Sequence, residues 1–140
     1  MNNAQRFEIL RIANLQGFGG ECGAVAVAIN HILFAGRGRY IVALNAAALA
    51  RKHVVGHVGV EYGKKIWDGA GTYEGVNYRR EFLGDWCVVD LPWMRSQRDR
   101  ERGVLRYMPE RVVLRYLPGR CGVTDPMARL RAAAAQIGAR

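Results

Sequence analysis

Apolar residues recur at helical spacing from Ala4 to Asn14. Phe7, Leu10 and Asn14 fall on one side and charge on the other, which predicts a short amphipathic helix. Gln16-Gly17-Phe18-Gly19-Gly20 then breaks the pattern, because three glycines in four residues do not sustain a regular element. From Cys22 to Phe34 (CGAVAVAINHILF) the residues are apolar on every side for two turns. This predicts a helix buried all round, with Ala24, Ala26 and Ala28 letting other elements approach closely. The β-branched Val25, Val27 and Ile29 also suit a strand, but the length of the run favours the helix.

Beyond Phe34 the spacing shifts to strands. Gly36-Arg37-Gly38 reads as a turn and Arg39 to Leu44 as a strand. Asn45 can cap a short helix over Ala46 to Lys52. Gly56 to Tyr62 and Lys65 to Asp68 read as two strands joined by a two-residue hairpin loop at Gly63-Lys64. Gly69 to Gly75, with three glycines, reads as a loop, and Trp86 to Leu91 as a strand ended by Pro92. Val104-Leu105-Arg106-Tyr107-Met108-Pro109-x-Arg111 is echoed by Val113-Leu114-Arg115-Tyr116-Leu117-Pro118-x-Arg120. Two copies are too few for a solenoid, so they read as two similar strands. Thr124-Asp125-Pro126 places a cap residue before proline at the first helical position and starts a last helix, over 125–137, which Gly138 ends. The expected class is α+β, with a central buried helix packed on an antiparallel sheet in one domain over residues 1–140.

Composition narrows the functional classes. The chain has 140 residues, half of them hydrophobic, enough for one core without disulfide staples. Its three cysteines, Cys22, Cys87 and Cys121, are far apart and form no CxxC pair, which argues against a disulfide framework and a zinc knuckle. Free thiols suit a reducing compartment, so the expected location is the cytoplasm. Arg6, Glu8 and Arg11 interrupt the first fifteen residues, unlike the apolar core of a signal peptide. The run from Cys22 to Ala35 is too short to span a bilayer, so no membrane partner is expected. No cofactor or metal is expected. The net charge is +9, and residues 94–120 hold eight arginines against three acids, a net of +5. Such a balance permits contact with nucleic acid, acidic protein or anionic lipid without choosing among them.

The chemistry-bearing residues converge on Cys22. It follows a glycine-rich loop and opens the predicted helix, where unpaired backbone N–H groups and the positive helix end favour a thiolate. Gln16, six residues upstream, can fold back across the loop and donate to an oxyanion. The glycines leave room for a substrate backbone. His57 opens the strand His57-Val58-Gly59-Val60-Glu61-Tyr62. With Gly63-Lys64 as the turn, Tyr62 pairs with Lys65 and Val60 with Trp67. Asp68 then lies diagonally beside His57 on one face, within reach of a hydrogen bond that would orient the imidazole.

The run Gln16-Gly17-x-x-Gly20-Glu21-Cys22, the buried helix after it and the strand-borne His57 resemble the papain-like cysteine peptidase superfamily. The short His57–Asp68 hairpin, with Trp67 before Asp68, is similar to its transglutaminase-like branch. The likeness covers about residues 14–70. It implies a papain-like fold with Cys22 as nucleophile, His57 as base, Asp68 as orienter and Gln16 as oxyanion donor. A peptide or protein substrate, cleaved or acyl-transferred at a peptide, isopeptide or amide bond, follows from it. The chain departs from the family in having Gly23 where papain-type enzymes carry tryptophan, and in being shorter.

Other residues have plainer readings. His53 and His57 stand at a metal-ligand spacing for a helix, but Val54-Val55-Gly56 breaks helical continuity between them. His31 is expected to be a hydrogen-bonded core residue, Cys87 a core residue and Cys121 a bystander. Glu21 is expected to cap the helix. The arginine-rich segment 94–120 carries the alternative function, a non-enzymatic module that binds nucleic acid or an acidic partner, with Tyr107 and Tyr116 stacking on bases.

Overall fold

A computed structural model of the chain describes residues 1–15, 22–44, 57–74, 104–115 and 125–138. In chain order these form α1 (Asn3–Ala13), α2 (Cys22–Phe34), β1 (Arg39–Leu44), β2 (His57–Tyr62), β3 (Lys65–Asp68), β4 (Gly71–Glu74), β5 (Val104–Met108), α3 (Glu110–Arg115) and α4 (Pro126–Gly138). The strands make one antiparallel sheet in the order β4-β3-β2-β1-β5. The fold is α+β, with α2 packed on β2 and β3, and α4 packed on both α1 and α2. The predicted helix at Ala46–Lys52 and strand at Trp86–Leu91 lie outside the described residues, as do Gln16, His53, Cys87 and Cys121. No described helix is long and apolar enough to cross a membrane.

Local chemistry sets the element ends. Asn2 caps α1: its side chain accepts from the Gln5 N–H, and the Gln5 side chain reaches back to the Asn2 N–H. Asp125 caps α4 by accepting from the Ala128 N–H at 2.8 Å, with Pro126 at the first helical position. At the β2–β3 hairpin Gly63 takes a φ of +65°, a conformation that favours glycine. The resulting register pairs Val60 with Trp67 and Tyr62 with Lys65, as the sequence predicts.

Four expectations are corrected. The second copy of the Val-Leu-Arg-Tyr repeat does not begin a strand. Val113, Leu114 and Arg115 lie in α3, where the Pro109 carbonyl accepts from Val112 and Val113 and Glu110 places its acid in the first turn. The glycine-rich stretch after Asp68 is not all loop: Gly69 and Ala70 make a tight turn, and Gly71, at φ +136°, leads into β4 with Asp68 facing Gly71. In α1 the buried face is Arg6, Ile9, Leu10 and Ala13, while Phe7 is 40 % exposed. His31 is an exposed helix residue rather than a core one, although it is hydrogen-bonded as expected.

Arg6 is buried with its guanidinium both hydrogen-bonded and set against aromatic rings. Its Nε donates to the Leu33 carbonyl at 3.1 Å and its Nη1 to the Asn3 side chain at 2.9 Å. Its guanidinium lies 4.8 Å from the centre of the Phe34 ring and 5.0 Å from that of Tyr62. A cation is thereby placed against a last-turn carbonyl of α2, where the helix dipole favours it.

The sheet has two distinct faces. Tyr40, Val42, Val58, Val60 and Trp67 share one face and join the helix side chains in a single apolar cluster. Ile41, Ala43, Ile66 and Leu105 are equally buried but lie outside that cluster, on the opposite face by strand alternation. His57 faces Ala43 across the β1–β2 ladder, and Ala43 faces Leu105 across β1–β5, so His57 belongs to this second face.

Candidate active site

His57 is the first residue of β2 and Asp68 the last of β3, so antiparallel pairing brings both to the same end of the sheet. Their side chains meet: His57 Nε2 lies 2.8 Å from Asp68 Oδ2. A carboxylate only accepts, so the shared hydrogen is the imidazole's. The other carboxylate oxygen accepts from the Ala70 N–H at 2.8 Å, a turn bond that fixes the carboxylate's rotation. Asp68 is 4 % exposed and His57 partly buried. The arrangement can hold an imidazole in one orientation and stabilise its protonated form in a site of restricted solvent access.

The start of α2 lies against this end of the sheet. Gly69 follows Asp68, and a Cβ built on it would stand 3.4 Å from Val25 Cγ1 and 3.3 Å from Leu15 Cβ. Glycine permits that approach. Val25 is one turn into α2 from Cys22, and Leu15 directly precedes Gln16 in the chain. Cys22 is the first residue of α2, and Gln16 lies outside the described residues. Of the four residues the sequence singles out, the structure therefore brings His57 and Asp68 into contact; Gly69, next to Asp68, packs on Val25 of α2, while His57 and Asp68 themselves lie on the sheet face away from α2.

A second polar cluster, which sequence reasoning missed, sits beside the other end of α2. Tyr40 Oη donates to Glu110 Oε1 at 2.6 Å, and His31 Nε2 lies 2.5 Å from the same oxygen. Asn30, 3 % exposed, clamps the backbone of Gly38 by accepting from its N–H and donating to its carbonyl. A Cβ on Gly38 would overlap the Val60 side chain, so glycine is required there. No sequence signal announces this cluster, because His31 and Glu110 are 79 residues apart.

Within the cluster, burial pushes the Tyr40 phenol up, and its bond to Glu110 adds to the effect. The Glu110 carboxyl is lowered chiefly by accepting from Tyr40, against an opposing contribution from burial, with help from His31. A carboxyl whose folded pKa is depressed stabilises the fold above its unfolded value, near ~4.3. That stabilisation is lost as pH falls through the lower folded value. Wild-type protein is therefore expected to exceed Glu110→Gln in urea midpoint at pH 6, and the gap is expected to narrow by pH 3. An unchanged gap in urea titrations at the two pH values would show that Glu110 is not linked to folding.

Among the described residues no group of three or more His, Cys, Asp or Glu side chains could hold a metal ion. Comparison of the chain with protein-family models, with curated proteins and with solved structures gave no match.

Proposed function

We propose that the chain is a thiol-dependent hydrolase or acyl transferase on a papain-like fold, acting on a peptide, isopeptide or amide bond. Cys22 is the nucleophile, His57 the base, Asp68 the residue that orients it, and Gln16 an oxyanion donor. The observation that carries this reading is the His57–Asp68 hydrogen bond, formed at the end of the sheet nearest the start of α2. His57 and Asp68 face away from the α2 side of the sheet, but both are strand-end residues. For this chemistry a thiol at the start of α2 has to reach them around the strand ends, not through the sheet.

Asp68 holds Nε2, so proton exchange with a thiol runs through Nδ1 of His57. The thiol gives its proton to Nδ1, the thiolate attacks the acyl carbon, and the leaving group takes the proton as the acyl-enzyme forms. Water or an acceptor amine then completes hydrolysis or transfer by the reverse proton route.

Incubation with an activated ester such as p-nitrophenyl acetate tests the assignment without knowledge of the natural substrate. Peptide mapping by mass spectrometry is expected to place the acetyl group on Cys22 well before Cys87 or Cys121. Equal labelling of the three cysteines, or preference for either of the others, would remove Cys22 from the nucleophile's role.

A further inference from the structure

A groove of about 630 Å³ opens where α2, β1, β5 and the start of α3 meet. Its walls include His31, Arg39, Tyr107, Met108 and Glu110. It lies beside the far end of α2 from Cys22 and shares no residue with the candidate active site. Its volume is within the range that encloses a small organic ligand.

The charges in and beside this groove divide unequally. Each carboxylate is already engaged by two donors. Glu110 accepts from Tyr40 and pairs with His31, and Glu61 pairs with Arg39 and accepts from the Tyr107 hydroxyl. Arg39 presents five N–H donors in a planar fork, and among the described residues only its Nη2 is engaged, by Glu61 and Tyr107. Its side chain is 64 % exposed. The exposed Arg111 follows Glu110 in sequence, whereas Arg37, next to Gly38, donates its Nε to the Phe34 carbonyl. The unshared donors around the groove are thus cationic, in a chain of net charge +9, and they favour an anionic ligand.

Shape narrows the ligand further. The Arg39 guanidinium lies 4.2 Å from the centre of the Tyr107 ring. Tyr107 is itself 42 % exposed. A guanidinium set over an aromatic ring is a planar platform of the kind on which nucleobases stack. An acidic peptide needs the cations but has no use for the platform.

We infer that this groove binds a nucleotide unit, its base stacked on the Arg39–Tyr107 platform and its phosphate held by the remaining N–H donors of Arg39. The unit is either a free nucleotide or one member of a single strand. Fluorescence anisotropy with a fluorescein-labelled dodecathymidylate tests the site on the full chain. Tyr107→Ala is expected to weaken binding about tenfold or more, the effect of losing one stacked base. Tyr107→Phe keeps the ring, loses the bond to Glu61, and is expected to bind as wild type. Melting curves of both variants confirm that they fold, since Tyr107 is outside the buried cluster. Displacement of the strand by adenosine monophosphate would identify a free nucleotide as the ligand. Retained strand binding without displacement would identify the strand. Wild-type affinity in Tyr107→Ala would overturn the site, reducing any binding to diffuse charge. Equal competition by polyglutamate at matched charge would overturn it in favour of an acidic protein partner.

Discussion

His57→Ala is expected to slow acylation of Cys22 by p-nitrophenyl acetate by about 10³-fold, within the range that a positioned base supplies. It removes the group that takes the thiol proton. Asp68 variants are expected to fall between this and wild type, because Asp68 acts only through the ring. Asp68→Ala leaves both the His57 Nε2–H and the Ala70 N–H without their acceptor, two polar groups in a confined site. Asp68→Asn keeps one acceptor oxygen, enough for one of those two donors, and turns an amide NH₂ toward the other. It should orient the ring in part, so a loss of roughly tenfold is expected, with a larger loss in Asp68→Ala. Stopped-flow release of p-nitrophenol gives all three rates. Equal rates in wild type and Asp68→Ala, alongside an inactive His57→Ala, would show that the observed hydrogen bond plays no part in the chemistry. An active His57→Ala would end the base assignment.

Trp67 carries the largest expected effect on stability. It is 1 % exposed, and its ring centre lies 4.9 Å from that of Phe7 and 5.3 Å from that of Phe34, the latter nearly edge-on. It also holds the strand position before Asp68. Trp67→Ala is expected to cost about 3–5 kcal/mol, the range for emptying a buried aromatic site. That is a large share of the roughly 5–15 kcal/mol by which a domain is stable. Yet among the described residues Trp67 Nε1 is buried without a hydrogen-bond partner. An unsatisfied buried donor costs about 1–3 kcal/mol, and Trp67→Phe removes it along with part of the ring. Trp67→Phe is therefore expected to lose far less stability and to keep the β2–β3 register, and with it the acylation rate. Thermal melts of the two variants decide this. A Trp67→Phe as unstable as Trp67→Ala would mean that the indole N–H is satisfied and the shape of the ring irreplaceable.

Much of the site's local geometry is legible in the sequence, because it rests on short-range chemistry. A two-residue Gly-Lys turn fixes the register of β2 against β3, and the register alone sets Asp68 beside His57. The capped start of α4 and the helix from Cys22 to Phe34 are local in the same sense. What escapes the sequence depends on distant partners or on competing local signals. The Pro109-Glu110 start diverts the second arginine-rich repeat into α3, although its letters match those of β5. Glycine count hides β4, since Gly71 is the residue that lets the chain turn and pair again. Arg6 reads as a solvent residue until Phe34, Tyr62 and the Leu33 carbonyl close around it. The Tyr40–Glu110–His31 cluster joins β1, α3 and α2, and no window of sequence contains it.

The central claim is that Cys22 and His57 form one reactive pair, supported by Asp68. The pH dependence of Cys22 alkylation by limiting iodoacetamide, followed by peptide mapping in wild type and in His57→Ala, tests it most directly. A thiolate stabilised by an imidazolium reacts at pH values below the free-thiol midpoint of about 8.5. Wild-type Cys22 is expected to label with a midpoint well below that value, and His57→Ala to move the midpoint back toward it. Superimposable profiles centred near about 8.5 in both proteins would contradict the account.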